Sequence, residues 1–184
     1  MVCVIGGPPR CGKSELARRL TKDRGLSFIP TDLLWAVLEV ALPDWRPAMP
    51  KGPDRLIKAG SMFETYLERA VQFLDRLQQP YGIEGEVILP ETVARLRPNV
   101  DLRAVFLIRS KVTEADLADL RGPNPWLHGA DPDLIAAVAA EIVSSSIRLE
   151  QACRRLQIPY FDVANDFDRA LADATYALGL AARA

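Results

Sequence analysis

Hydrophobic positions along this chain fall into two alternating rhythms. Short unbroken runs at residues 2–5 (VCVI) and 103–108 (RAVFLI) read as strands buried on both faces. Between such runs the apolar residues recur every three or four positions, which is one face of a helix. Leu16, Ala17 and Leu20 mark the first helix, ending near residue 24 with Gly25 as its cap. Residues 26–30 (LSFIP) read as a second strand and residues 33–42 as a helix. Four prolines and a glycine within residues 43–53 predict a loop. Leu56, Phe63, Leu67, Val71 and Leu74 then predict a long helix over 54–79, with Gly60 as a candidate bend.

Two assignments compete for the third strand, residues 81–84 (YGIE) or the more apolar 87–89 (VIL), and propensity favours the latter. A short helix follows Pro90. After the strand at 103–108, Thr113 and Asp116 suggest a capping box opening a helix over 113–120. Asp131-Pro132 starts another helix that runs to about residue 156. Residues 158–163 read as the last strand and 166–180 as the closing helix. Strands alternating with helices predict an α/β fold with a parallel sheet covered on both faces.

Length and composition narrow the class. The 184 residues suffice for one domain with a sizeable core, and 49% hydrophobic with 26% charged residues is globular composition. A net charge of −1 supplies no basic field for a nucleic-acid backbone. No apolar run approaches a membrane span, and the chain enters its first strand with no room for a signal peptide. Cys3, Cys11 and Cys153 are odd in number and form no metal pattern. These features predict a soluble protein of a reducing, cytoplasmic setting, with neither nucleic-acid nor membrane partners. His128 is the only histidine, so no cluster of histidines can be built.

The candidate chemistry begins where the first strand ends. Residues 7–14 (GPPRCGKS) match G-x-x-x-x-G-K-[ST] in full, between a predicted strand and a predicted helix. Ordinary glycine usage makes this pattern a chance event in on the order of 1% of chains this long. Gly7 and Gly12 permit turns that a Cβ would obstruct. Backbone amides of such a loop form a concave anion nest, backed by the positive end of the following helix. Pro8 and Pro9 have no N–H, so the donors are expected from Arg10, Cys11, Gly12, Lys13, Ser14 and Glu15. Lys13 would reach the β- and γ-phosphates of a nucleotide, and the Ser14 hydroxyl would ligate Mg²⁺. Cys11 sits where a helix N-terminus stabilises a thiolate, although a small tolerated loop residue is the simpler reading.

Four stretches taken together, IGGPPRCGKSELARRL, FIPTDLLW, YGIEGEVILPETVARL and RAVFLI with the polar helix after it, resemble the adenylate-kinase-like small-molecule kinases of the P-loop class. The closest likeness is to the 2-phosphoglycerate-kinase-like and chloramphenicol-phosphotransferase-like members. The resemblance implies a three-layer P-loop NTPase fold with a five-stranded parallel sheet of order 2-3-1-4-5. It implies one domain, with an acceptor-binding helical insertion over 33–80 and a lid over 109–130. It implies that Asp32, after the second strand, orients or deprotonates an acceptor hydroxyl. Glu84, ending the third strand, would hold Mg²⁺ or the acceptor, which supports residues 81–84 as that strand. The lid departs from the family pattern, because Arg109, Lys111 and Arg121 are its only obvious cations. Arg121 is the preferred catalytic candidate, with Gly122-Pro123 beside it as a hinge.

Each of these residues also has a plainer reading. Thr31 or Asp32 could cap the next helix, and Glu84 could be a solvated carboxylate beside Glu86 and Glu91. Arg46, Lys51, Arg55 and Lys58 could dock an anionic acceptor or simply be surface charge. Trp35, Trp45 and Trp126 could pack or stack on a ring, and residues 163–165 could meet the base. The expected activity is transfer of the γ-phosphate of Mg-ATP to a small hydroxyl- or phosphate-bearing metabolite. The competing reading is a nucleotide-binding regulator or slow ATPase without an acceptor. The sequence leaves open the acceptor and the choice between ATP and GTP.

Overall fold

The computed structural model describes residues 1–42, 44, 55–113, 116–117 and 129–180. Its elements in chain order are β1 (Val2–Gly6), α1 (Lys13–Arg24), β2 (Ser27–Pro30), α2 (Thr31–Ala41) and α3 (Arg55–Arg76). Then come β3 (Tyr81–Gly85), α4 (Pro90–Leu96), β4 (Leu102–Ile108), α5 (Pro132–Leu156), β5 (Tyr160–Asp162) and α6 (Phe167–Ala177). The five strands form one sheet in the order β2-β3-β1-β4-β5. Every neighbouring pair is parallel. This is the sheet order that the resemblance implies.

The strand period of two explains the two cores. On β1 and β4, Val2, Val4, Ala104 and Phe106 face one way, against Phe63, Leu67 and Val71 of α3 and Val93 of α4. Cys3, Ile5, Val105 and Leu107 face the other way, against Leu16 and Leu20 of α1 and Leu171 and Ala174 of α6. Both faces are therefore apolar, and the central strands read as continuous hydrophobic runs. No helix among the described residues is long and apolar enough to cross a membrane.

The third strand is Tyr81–Gly85, against propensity. Its choice is made by packing. A Cβ on Gly85 would stand 1.8 Å from the Thr31 hydroxyl oxygen, so only glycine lets α2 approach β3. The apolar Val87, Ile88 and Leu89 are buried as well, but in the connection to α4, where they cover the core from its end. Gly60 marks no break in α3. A Cβ there would meet the Leu89 side chain at 2.6 Å, so it is a packing glycine.

Helix α2 starts earlier than the sequence suggested. Pro30 is its N-cap residue, in extended conformation, with no side-chain capping bond. Thr31 and Asp32 are therefore inside the first turn and do not cap it, which frees Asp32 to face outward. The caps at Gly25 and Asp131 form as expected, and Asp166 caps the closing helix. The Thr113–Asp116 pair also forms, Thr113 N donating to Asp116 Oδ2 at 2.7 Å. Residues 114–115 and 118–120 of that expected helix, the 45–53 part of the proline-rich stretch, Trp45, Arg46, Lys51, Trp126 and His128 lie outside the described residues.

Candidate active site

The site grows from the C-terminal end of β1. Gly6 pairs with Gly85 on one side and Phe106 on the other, so the chain leaves the sheet between its two best-buried neighbours. Gly7 turns there at φ +142, and a Cβ on it would lie 2.1 Å from the Leu107 carbonyl oxygen. Gly12 closes the loop at φ +83 as the N-cap of α1. Between them Arg10 has φ +60, an uncommon angle for a side-chain-bearing residue. The turn is built around a concavity. The amides of Gly12, Lys13, Ser14 and Glu15 have no hydrogen-bond partner among the described residues. Four adjacent free donors at a helix N-terminus are the anion-binding arrangement.

The Lys13 ammonium curls back over this loop and donates to the Pro8 carbonyl at 2.8 Å. It is 9% exposed, so its charge acts from a sheltered position. Cys11 is fully buried, and burial pushes its thiol up to about 12, outweighing the opposing effect of Lys13 and Arg109. Helix-end stabilisation does not make it a thiolate. Glu15 turns its carboxylate away to Arg18 and Arg19, each at 2.8 Å, leaving only its amide to the loop.

Strand register brings the acidic residues in. Glu84 lies abreast of Ile5 on β1 and Pro30 on β2. It therefore projects beside the loop, where Ser14 Oγ donates to its Oε1 at 3.0 Å. Burial raises the Glu84 pKa, partly offset by Lys13 and the Ser14 hydrogen bond and reinforced by Asp32. The reading of Glu84 as a solvated loop carboxylate does not hold, since it is 8% exposed. A hydroxyl and a buried carboxylate this close make an all-oxygen corner suited to a hard cation such as Mg²⁺. No group of three or more His, Cys, Asp or Glu side chains that could hold a metal occurs among the described residues. A metal here would take its remaining ligands from phosphate and water, as Mg²⁺ does.

The raised pKa sets a pH dependence. The folded protein holds the Glu84 proton more tightly than the unfolded chain, so this group's contribution to stability is greatest at acid pH. It falls away as pH rises from the ordinary carboxylate value through the raised folded value. Glu84→Gln is expected to melt higher than the parent at neutral pH, with the gain vanishing at acid pH. Thermal melts of both proteins across that range check this.

Asp32 emerges two residues beyond Pro30 and is exposed. It opens onto a cleft of about 250 Å³ whose walls include Trp35, Glu39, Arg55 and Glu86. Arg55 reaches Glu141 at 3.0 Å and Glu86 at 3.6 Å. Lys58 and Lys111 are exposed and are not among the cleft's lining residues. Arg109 braces the loop from the β4 side, donating to the Arg10 carbonyl at 3.4 Å and pairing with Asp116 at 2.9 Å. Arg121 and Gly122-Pro123 lie outside the described residues. Glu39 and Glu86 had no motif to mark them. A carboxylate on an amphipathic helix and another after a strand look like surface charge until the fold sets them on one cleft.

No protein-family model matches this chain, and no curated protein matches it in sequence. Solved structures do. A shikimate kinase from Bacteroides thetaiotaomicron superposes with a TM-score of 0.59 at 15% identity, covering 98% of this chain and 99% of that one. A shikimate kinase from Acinetobacter baumannii, in complex with shikimate, gives 0.53 at 13% identity, over 99% and 95%. A gluconokinase from Sinorhizobium meliloti 1021 gives 0.50 at 17% identity, over 97% and 90%. The fold is that of the P-loop kinases.

Proposed function

We propose that this protein is a P-loop phosphotransferase that moves the γ-phosphate of Mg-ATP to a small metabolite. The observation that carries the reading is a convergence at one sheet edge. The amide nest with Lys13, the Ser14–Glu84 oxygen pair, and Asp32 on the wall of a cleft all meet there. Open α/β sheets bind ligands at the C-terminal ends of their strands. The kinase fold of the structural neighbours supports the same reading.

Each residue has a task that its position allows. The amides of Gly12 to Glu15 and the Lys13 ammonium hold the phosphate chain and neutralise the charge on its transferring end. Ser14 and Glu84 would hold Mg²⁺, whose charge screens the phosphate oxygens when bound. The Asp32 carboxylate accepts the proton of the attacking hydroxyl. Arg121 is proposed to close over the transferring group from the 109–130 lid, and helices α2 and α3 of the 33–80 region to hold the acceptor.

The test is ATP consumption across a panel of small alcohols and sugars, with Lys13→Ala as the blank. Asp32→Asn is expected to lower transfer by about 10²–10⁴-fold while ATP still raises the melting temperature. A nucleotide switch without an acceptor would be indifferent to that change, so unaltered turnover sinks the kinase reading. Glu84→Gln is expected to weaken apparent Mg²⁺ affinity about 10–100-fold, read from metal titrations of turnover.

A further inference from the structure

The cleft in front of Asp32 has a charge that says what can enter it. Among the described residues its ionisable walls are three carboxylates, Asp32, Glu39 and Glu86, against one guanidinium, Arg55. That guanidinium is already shared by two carboxylates, Glu141 at 3.0 Å and Glu86 at 3.6 Å. An incoming carboxylate or phosphate would have to displace them and would face the remaining negative charge.

The aromatic wall of the cleft also suits a cation. Trp35 lines it, its ring stacked on Phe63 at a 5.8 Å centroid distance and its indole N–H donating to Glu39 at 3.2 Å. A ring held this rigidly beside carboxylates is the chemistry that receives ammonium groups.

We propose that the acceptor is an amine-bearing alcohol, an amino sugar or amino alcohol, whose ammonium lies between Glu39, Glu86 and Trp35 while its hydroxyl meets Asp32. This rests on the phosphotransferase reading for its chemistry, but the charge preference of the cleft stands independently. In the transfer, the acceptor oxygen forms a bond to the γ-phosphorus of the nucleoside triphosphate. The bond from that phosphorus to the bridging oxygen breaks, the nucleoside diphosphate leaves with the electron pair, and the hydroxyl proton passes to Asp32. The product is a phosphate ester that keeps its ammonium.

The test uses matched probes on the full chain. Glucosamine, glucose and glucuronate share a ring and differ in charge, and ethanolamine, ethylene glycol and glycolate repeat the series on a smaller frame. Binding is measured by calorimetry without nucleotide. In at least one series the amine is expected to bind at least ten-fold tighter than the neutral compound, with the carboxylate weakest. Glu86→Gln and Glu39→Gln are each expected to erase most of that preference while leaving affinity for the neutral compound within about two-fold. A carboxylate that binds as tightly as its amine counterpart, or a full set of probes that fails to bind, overturns the proposal. Amine binding with no ATP consumption keeps the cleft's preference and removes the kinase reading. Phosphorylation of glucose or glucuronate in preference to glucosamine does the reverse.

Discussion

Lys13→Ala is expected to cut phosphoryl transfer by about 10²–10³-fold while the protein stays folded. The ammonium curls over the loop from within it, and it is nearly buried there. A charge in a sheltered site interacts more strongly with phosphate than the same charge in water. Its structural role is smaller. Its side chain donates to the buried Pro8 carbonyl, and leaving such an acceptor unsatisfied costs about 1–3 kcal/mol. Turnover and thermal melts measured on the same preparation separate the two effects. Transfer at the parent rate would remove the foundation of the assignment, and collapse of the fold would show that Lys13 is chiefly structural.

Gly7→Ala is expected to have the largest effect on stability, a loss of about 3 kcal/mol or more, and to abolish nucleotide binding in whatever protein still folds. Two penalties coincide at this residue. The φ of +142 belongs to a region that residues with a Cβ avoid. The new methyl would also stand 2.1 Å from the Leu107 carbonyl oxygen, a backbone atom fixed inside the sheet. Gly12→Ala is the control. Its φ of +83 is also strained, but the nearest atoms, at 2.6 Å, belong to the half-exposed Phe167 ring, which can swing aside. Chemical denaturation of the two variants should therefore rank Gly7→Ala well below Gly12→Ala. Equal losses would mean that backbone angle alone, and not contact with β4, dictates glycine at the loop entrance.

The phosphate loop was legible because everything it needs is local. Gly7, Gly12, Lys13 and Ser14 lie within one turn of chain, and their spacing is itself the geometry. Glu84 was reachable only through the resemblance, because propensity placed the third strand elsewhere. Its proximity to Ser14 comes from the pairing of β3 with β1 across more than seventy residues of intervening chain. The cleft was less legible still. By sequence Arg55 reads as surface charge or as a dock for an anionic acceptor, whereas the fold ties it to Glu86 and Glu141.

By itself the sequence determined the layered architecture and the loop, since apolar period and short-range glycine chemistry are properties of neighbours along the chain. Tertiary structure alone decided which short apolar run became the third strand, since that depends on what must fit against it. It also decided the sign of charge in the cleft. Carboxylates from α2 and the β3–α4 connection, and the α5 carboxylate that ties down Arg55, are brought together only by packing, and electrostatics depends on distance in space.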